Sequence, residues 1–428
     1  MTGGALTDRA EPCSEPIAPP VGAPRTKDVS MRIGLFTNNY RPLVSGLATS
    51  LDTFAQDFSR AGHRVTIVAP RYRGACWDDG DVVRVPGVRA PTHHAYVLPI
   101  PRWPGVRRAV LGRNLDVFHA HHPFLLGAAA LRWANETGRP LVFTYHTRYD
   151  RYAHYVPGPA RAVGRLAVRG ALRFAATADL VVAPAPSVAR ALTALGVRTP
   201  IEVIPTGVSL PAIPPEDIRR IRRSTLGFPA GGPVCLSVGR LAPEKNQGFL
   251  LRAFRTVLRH VPTARLVLVG DGDDRPRLER LASDLGLRPH VDFVGSLPRT
   301  RVIDYSLAAD LFLFPSTSET QGLAALEALA AGLPVVALAS EAALDLLQDE
   351  SAGLLCPEVP EVFARRVAAL WAAPERRAMM AEAARRLAAR FTPETSAAKL
   401  LDLYGELVRA RRRVPAGVGA LRSREART

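Results

Sequence analysis

The feature that most constrains the fold of this chain is an alternation of strands and helices that runs through it twice. The first series opens at residue 31, where residues 31–37 predict a buried strand, 47–60 a helix and 64–69 a second strand. This succession predicts a βαβ unit, whose strands run parallel. Further strands of the first series are predicted at residues 82–85, 117–119, 141–145, 180–183 and 202–204.

The pattern restarts near residue 233. Strands are predicted at 233–238, 266–269, 291–294, 311–314 and 335–337, and helices at 246–260, 276–285, 301–308 and 323–331. Two such series predict an α/β protein with two Rossmann-like domains whose sheets face each other across a cleft. A length of 428 residues fits two domains.

The expected domain limits follow from these series. The first domain is predicted at 31–205 and the second at 206–392, with a linker at 207–232 and one long helix at 393–412. Residues 1–30 are rich in Pro, Ala and Gly and are expected to form a disordered leader, with Met31 as an alternative start. Residues 413–428 are expected to form a disordered basic tail.

Targeting signals and cysteine spacing indicate the cellular compartment in which the protein is expected. The leader lacks the apolar core of a signal peptide, and no run of about 20 residues reads as a membrane-spanning helix. The four cysteines form no C-x-x-C pair, which fits a reducing compartment. We therefore expect a cytoplasmic protein.

The charge of the chain, +17, is unevenly distributed. Residues 31–205 hold 22 Lys and Arg against 10 Asp and Glu, a difference of +12. A basic surface predicts an anionic partner, either membrane lipid or nucleic acid. The alternative is an Arg-rich composition without function, since the chain contains only three lysines: Lys27, Lys245 and Lys399.

Four arginines of the first domain recur every fourth residue on a helix predicted at 160–177. They are Arg161, Arg165, Arg169 and Arg173, and this spacing places their charges along one side. We expect this side to bind an anionic membrane. The alternative is a helix that packs its apolar side on the sheet and shows arginine to water.

A loop with two cations follows the first strand of the second series. It places Gly239, Arg240 and Lys245 between that strand and a helix N-terminus, where N–H groups favour an anion. We interpret this loop as a diphosphate site. The alternative is an exposed turn with ordinary charges.

Two acids mark a second loop. Glu319 precedes Gly322, which allows close approach to a ligand, and Glu327 follows on a predicted helix among apolar residues. Carboxylates suit the vicinal hydroxyls of a sugar or ribose. The alternative is that Glu319 caps the helix and Glu327 faces solvent.

Three weaker signals lie at other strand ends. Gly46 opens a helix after the first strand, where it could approach a phosphate from across the cleft. His121 and His146 lie in loops after neighbouring strands, but no carboxylate at ligand spacing accompanies them, so we predict orientation of substrate rather than a metal site. The acidic run 271–274 is interpreted as a turn and an N-cap.

Together these residues resemble glycosyltransferase family 4, a large group with the GT-B architecture. The strongest marks are VGRLAPEKN at 238–246, LVLVGDG at 266–272 and SETQGLAALEALAAGLPV at 318–335. The resemblance covers about residues 31–412. It implies a GT-B fold whose C-terminal helix crosses back to the first domain, and retaining sugar transfer without a catalytic metal or cofactor.

The resemblance also assigns the donor residues. Arg240 and Lys245 match the residues that hold the donor diphosphate. Glu319 matches the acid that contacts the donor sugar, and Glu327 the acid that contacts the ribose. These assignments make Arg240, Lys245 and Glu319 expected catalytic residues.

Further positions match around that set. Gly46 matches the glycine loop near the phosphate, and His146 resembles the first-domain histidine beside the transferred sugar, an expected catalytic residue. Leu297 matches the position that contacts the base through its backbone. The remaining expected donor contacts lie within the matching motifs: Gly239, Gly322 and Leu323.

A narrower likeness concerns the acceptor. YHTRYDRYAHYVP at 145–157 and SETQGL at 318–323 are similar to the diacylglycerol glucosyltransferases of bacterial membranes. Tyrosines at 145, 149, 152 and 155 would share one helical face, and we predict an aromatic wall beside the acceptor; the alternative is a core stripe. Gln321 stands where mannosyltransferase relatives usually have Phe, which disfavours a mannosyl donor. The expected acceptor residues are His121, His146, Tyr149, Tyr152 and Tyr155.

The sequence therefore favours a peripheral lipid glycosyltransferase on the inner face of the cell membrane, with UDP-glucose as the expected donor. A glycosyltransferase for another acceptor, such as a soluble sugar or a phosphatidylinositol-type lipid, is the alternative. A nucleotide-sugar epimerase and a nucleic-acid-binding protein fit less well, and no nucleic-acid partner is expected. A Rossmann dehydrogenase is excluded because G-x-G-x-x-G follows neither first strand.

Overall fold

The computed structural model of the chain describes residues 30–43, 45–72, 80–90, 96–149, 160–228 and 231–413. These residues form two parallel sheets, and each sheet lies between two apolar cores. The predicted pair of Rossmann-like domains is confirmed. The predicted leader and tail lie outside the described residues, apart from Ser30 and Arg413.

The first sheet has seven strands. With a separate antiparallel hairpin, β4–β5, the strands of this domain are β1 (Arg32–Phe36), β2 (Arg64–Pro70), β3 (Val82–Val85), β4 (Gly87–Arg89), β5 (Val97–Pro99), β6 (Val117–Ala120), β7 (Leu141–Thr144), β8 (Leu180–Ala183) and β9 (Ile201–Val203). The order across the sheet is β3-β2-β1-β6-β7-β8-β9. The order reverses beside β1, and ligands of such sheets bind at that switch point, beyond the carboxyl ends of the strands.

The second sheet repeats this plan with six strands. They are β10 (Val234–Val238), β11 (Arg265–Val269), β12 (Val291–Gly295), β13 (Leu311–Phe314), β14 (Val335–Leu338) and β15 (Gly353–Cys356). Their order is β12-β11-β10-β13-β14-β15, so the switch point lies between β10 and β13. The two sequence loops with the predicted donor residues follow these two strands.

Helices connect the strands of both sheets. In the first domain they are α1 (Gly46–Arg60), α2 (Val106–Leu111), α3 (Leu126–Thr137), α4 (Ala160–Ala175) and α5 (Pro186–Ala194). The remaining helices are α6 (Glu216–Thr225), α7 (Gln247–His260), α8 (Arg275–Asp284), α9 (Arg299–Ala308), α10 (Leu323–Ala330), α11 (Glu341–Leu346), α12 (Pro360–Trp371), α13 (Pro374–Ala388) and α14 (Pro393–Arg413). Among these described helices, none combines the length and apolar character needed to cross a bilayer.

Local sequence explains where the first helix of the first domain, α1, begins and which face it buries. Ser45 caps α1, where its hydroxyl accepts a hydrogen bond from the Ala48 N–H at 3.1 Å. Leu51, Phe54 and Phe58 recur at helical spacing and are buried. Most positions in the strands are apolar because helices cover both faces of a parallel sheet.

The last helix, α14, returns to the first domain as the resemblance implied. Leu400, Tyr404 and Val408 lie on one face of α14 and are buried in the same core as Ile33 and Leu35 of β1. Their spacing of four residues gives the helix a single apolar stripe. The crossing helix therefore fastens the end of the chain to the first sheet.

Two segments contain elements that the sequence pattern did not predict. The segment 207–232, predicted to be a linker, contains α6, and this helix is held by Arg219 and Arg223, which both donate to Asp310 at 2.7 and 2.8 Å. The segment 338–392, for which the sequence pattern predicted no element, contains α11, β15, α12 and α13. Alanine-rich helices such as α13 carry a weak apolar pattern, which explains the omission.

Candidate active site

The loop that carries the two cations and the loop that carries Glu319 meet at the switch point of the second domain. Lys245 Nζ lies 2.6 Å from Glu319 Oε1, although 74 residues separate them. The Ser318 hydroxyl donates to the Glu244 carbonyl at 2.9 Å, which joins the loops a second time. The predicted diphosphate and sugar residues therefore form one cluster.

Arg240 lies on the same loop and forms an ion pair with Glu244. The Glu244 side chain is only 4% exposed, so it anchors the arginine from below. The Gln247 amide at the start of α7 donates to the Arg240 carbonyl at 2.9 Å. This arrangement places two cations and a helix N-terminus at the end of β10, a combination that favours an anionic ligand.

Glu327 lies one helix turn into α10, where its side chain is 26% exposed. Its carboxylate lies 3.1 Å from Arg299 Nε at the start of α9. Burial raises the pKa of the Glu327 carboxyl, and the charge of Arg299 opposes that rise. Sequence reasoning missed Arg299, because a pair 28 residues apart on two helices leaves no local pattern.

The predicted glycine of the first domain faces the second domain. Gly46 begins α1, and a Cβ there would lie 3.8 Å from Leu323 Cδ2 at the start of α10. Gly322 has a φ of 77°, a left-handed conformation that favours glycine, and packs over the Phe314 ring. The N-termini of α1 and α10 thus meet across the cleft, beside the Lys245–Glu319 pair.

Glycines also end the three strands at one side of the second sheet. A Cβ at Gly270 would lie 2.0 Å from the Gly239 carbonyl oxygen, and the Gly270 N–H donates to the Gly295 carbonyl at 2.8 Å. Three adjacent strand ends therefore pack backbone to backbone. Leu297 follows these strand ends in the chain and is half-buried against the core of the second domain. Of these three glycines, only Gly239 was predicted from the sequence to contact the donor.

The histidines of the first domain form a chain of contacts. His121 Nδ1 lies 2.8 Å from His146 Nε2, with the rings stacked at 5.0 Å. His119 contacts the Tyr404 hydroxyl at 2.5 Å and the Thr144 hydroxyl at 2.6 Å. His121 and His146 are thus brought together as predicted, and Tyr404 connects α14 to this cluster.

Burial favours the uncharged form of these histidines. Removal from water lowers the pKa of His146 to about 3, and burial lowers the pKa of His121 well below its usual value. The His146 carbonyl accepts a hydrogen bond from the Thr320 hydroxyl at 3.1 Å, next to Glu319. The histidine pair therefore lies next to the loop that carries Glu319. An uncharged ring there can orient a hydroxyl by a hydrogen bond.

The predicted helical face of tyrosines is wrong for the two that are described. Tyr145 and Tyr149 follow β7 in a loop, and their rings meet edge to face at 5.4 Å inside the core. The Tyr149 side chain is buried beneath the cleft. The ring of Phe124, whose centroid lies 5.7 Å from that of Tyr149, is exposed. The acceptor role of Tyr149 stays a prediction. Tyr152 and Tyr155 lie outside the described residues.

The side chain of Gln321 is held by the chain segment that joins the two domains. Its side-chain amide pairs with the backbone of Thr206, accepting from the N–H at 2.9 Å and donating to the carbonyl at 2.8 Å. Both functions of the amide are thereby occupied. That Gln321 in place of phenylalanine disfavours a mannosyl donor stays a prediction.

The acidic run of the second domain differs from its predicted form in one respect. Asp274 precedes α8, but its carboxylate binds Arg277 at 2.6 Å and makes no capping hydrogen bond. Asp271 accepts from the Gly272 N–H at 2.8 Å, as expected of a turn. Within the described ranges, no three His, Cys, Asp or Glu side chains are grouped to hold a metal ion.

Sequence comparison agrees with this site. A family model described as Glycosyltransferase Family 4 matches residues 44–211, and one described as Glycosyl transferases group 1 matches residues 218–387. An alpha-monoglucosyldiacylglycerol synthase of Streptococcus pneumoniae is 34% identical over 334 residues, which are 76% of this chain and 75% of that protein. This chain belongs to glycosyltransferase family 4.

Two further relatives of this glycosyltransferase have different names from each other. An alpha-monoglucosyldiacylglycerol synthase of Acholeplasma laidlawii is 30% identical, with 72% of this chain and 80% of that protein aligned. A GDP-mannose-dependent alpha-(1-6)-phosphatidylinositol dimannoside mannosyltransferase of Mycobacterium tuberculosis is 31% identical, with 88% and 97% aligned. The family is therefore shown, whereas its members differ in sugar and acceptor.

Solved structures confirm the GT-B fold. Sucrose-phosphate synthase of Thermosynechococcus elongatus superposes with a TM-score of 0.76 at 22% identity, covering 89% of this chain and all of that one. Anabaena Alr3699/HepE in complex with UDP-glucose superposes with a TM-score of 0.69 at 22% identity, covering 88% of this chain and all of that one. At these identities the likeness concerns architecture.

Proposed function

We propose that this glycosyltransferase transfers glucose from UDP-glucose to diacylglycerol, with retention of configuration. The observation that carries the proposal is the Lys245–Glu319 pair. The loop of Lys245 also carries Arg240, and the loop of Glu319 meets Gly46 and His146 of the first domain. The cations suit the donor diphosphate and the acid suits the sugar hydroxyls. Two relatives, both alpha-monoglucosyldiacylglycerol synthases, support the glucosyl donor and the diacylglycerol acceptor.

In the proposed reaction the bond between the anomeric carbon and the diphosphate breaks while the acceptor hydroxyl bonds to the same carbon. Arg240, Lys245 and the N-terminus of α7 stabilise the negative charge that develops on the leaving diphosphate. The acceptor hydroxyl loses its proton to the leaving phosphate oxygen. His146 orients a sugar hydroxyl by a hydrogen bond, and buried His121 holds the His146 ring through the 2.8 Å contact between their ring nitrogens.

A panel of nucleotide sugars tests the proposal. Purified enzyme is incubated with UDP-glucose, UDP-galactose or GDP-mannose, each with diacylglycerol or phosphatidylinositol, and products are identified by mass. We expect a product from UDP-glucose and diacylglycerol. Mannosylated phosphatidylinositol as the main product would favour the alternative lipid mannosyltransferase, for which the mycobacterial relative is the support.

We further propose that transfer needs no metal ion, because two cations and a helix dipole already face the diphosphate. A chelator such as EDTA should therefore change the rate by less than about twofold, which corresponds to a change of about 0.4 kcal/mol in the activation barrier. Turnover is measured before and after chelation, with added Mg²⁺ or Mn²⁺ as the restoring arm. A loss on chelation that either ion restores would contradict metal independence and return attention to Asp271 and Asp273.

The enzyme is also proposed to dock on anionic membrane through α4. Arg165, Arg169 and Arg173 are exposed along this helix, while Ala171 and Phe174 are buried in the core below. The helix thus packs as the alternative interpretation expected and still presents a basic face. The side chain of Arg161 lies outside the described part of the structure.

Changing these three arginines to glutamine should weaken binding to anionic vesicles by up to about 10²-fold, because each contributes about 1 kcal/mol near such a surface. Vesicle sedimentation at low and high salt measures the effect, which salt should reduce. Arg252, Arg255 and Arg259 on α7 are exposed and offer a control of equal charge. An equal loss in both triple variants, or equal binding to neutral vesicles, would contradict docking through α4.

A further inference from the structure

The two chain segments that cross between the domains touch each other. A Cβ at Gly207 would lie 2.3 Å from the Pro393 nitrogen, and the Val208 N–H donates to the Phe391 carbonyl at 2.8 Å. Such close contact leaves no room for a side chain at Gly207. This crossing is the place about which the two domains must turn if the cleft opens.

Thr206, next to this crossing, is bound from both domains. Its backbone N–H and carbonyl are both paired with the Gln321 amide of the second domain, as described above. Its hydroxyl lies 2.7 Å from the Ser50 hydroxyl of α1 in the first domain. Thr206 and Ser50 are 4% and 1% exposed, so water does not compete for these bonds.

The ends of this bonded series carry the groups that face the donor. Gln321 lies two residues after Glu319 in the same loop, and Ser50 lies about one helix turn after Gly46. The series Gln321–Thr206–Ser50 therefore spans the cleft from the sugar-contacting loop to the glycine that faces Leu323. A change at any of its bonds would alter the spacing between these two sides.

We infer that Gln321 is a positioning residue that couples the donor loop to the domain crossing, and that Thr206 and Ser50 complete the coupling. This inference rests on the proposed function only for the substrate used in its kinetic test. Gln321 acts by fixing the distance between Glu319 and Gly46, not by contact with the donor. Errors of about 1 Å in such placement can lower turnover by about 10²-fold.

Three substitutions separate the bonds of the series. Gln321→Met keeps the length of the side chain and removes both bonds to Thr206. Thr206→Val and Ser50→Ala leave those bonds in place and remove only the hydroxyl contact. We expect Gln321→Met to lower kcat by about 10- to 100-fold, and each hydroxyl variant to lower it less.

A double-substitution cycle then tests whether the bonds act in series. Thr206→Val combined with Ser50→Ala should be no worse than either alone, because both remove the same contact. Ser50→Ala should add little to Gln321→Met. UDP affinity, measured by calorimetry, should stay within about twofold in every variant, since Gln321, Thr206 and Ser50 are not among the proposed UDP contacts. Additive losses in kcat, or a loss of UDP affinity in Gln321→Met, would overturn the inference.

A second readout does not need turnover. The Thr206 amide donates to Gln321, so its hydrogen exchange should be faster in Gln321→Met than in the wild type, while peptides of β1 exchange unchanged. Unaltered exchange at Thr206 would also overturn the inference. If the wild-type enzyme transfers no glucose to diacylglycerol, the proposed function fails, and the exchange result still decides the coupling.

Discussion

Replacing Lys245 with alanine is expected to lower kcat by about 10²-fold or more. The Lys245 ammonium lies 2.6 Å from Glu319. Its loss removes a cation from the leaving diphosphate and leaves the Glu319 carboxylate next to that negative charge. The barrier therefore rises through a lost attraction and through an added repulsion, and steady-state turnover with UDP-glucose measures the result.

Arg240→Ala is expected to have a loss of the same order, because the guanidinium supplies the second cation at the end of β10. Lys399 offers a matched control for Lys245, since it pairs with Glu202 at 2.9 Å on another part of the surface. Lys399→Ala should retain normal kcat. Near-normal turnover in either Lys245→Ala or Arg240→Ala would refute the diphosphate site.

Glu319→Ala and Glu327→Ala are expected to fail in different ways. Glu319, paired with Lys245, should affect mainly transfer, with kcat lowered by about 10²-fold. Glu327, paired with Arg299, should affect mainly nucleotide binding, with UDP affinity lowered by about 10-fold or more. Calorimetry with UDP and steady-state kinetics separate the two effects.

Glu382 on α13 is an exposed acid, and Glu382→Ala should leave both quantities unchanged. Normal UDP binding together with a normal rate in both Glu319→Ala and Glu327→Ala would contradict the assignment of these acids. A loss of UDP affinity in Glu319→Ala with normal turnover in the bound state would exchange their roles.

Much of the fold could be predicted from sequence because most positions in the parallel strands are apolar. The strands at 180–183 and 311–314 were predicted with the observed limits. The loops after β10 and β13 could be identified because charged side chains at strand ends stand out against such runs. The alanine-rich helices after β14 could not, because small residues give little contrast between faces.

Long-range pairs were beyond sequence reasoning for a physical reason. A contact such as Gln321 with Thr206 joins residues 115 positions apart, and neither side chain shows a local pattern. The tyrosine spacing led to the wrong prediction of a helix because a loop can also bring residues four apart together. Burial of Tyr145 and Tyr149 in the core decides between the two.

The structure of the product formed by the wild-type enzyme decides whether this chain is a retaining diacylglycerol glucosyltransferase. Purified protein is incubated with UDP-glucose and diacylglycerol in anionic vesicles, and the lipid product is isolated for mass and proton NMR analysis. The account predicts diacylglycerol bearing one glucose with an α-linked anomeric carbon. A β-linked product, or glucose left untransferred while another donor or acceptor is consumed, would contradict it.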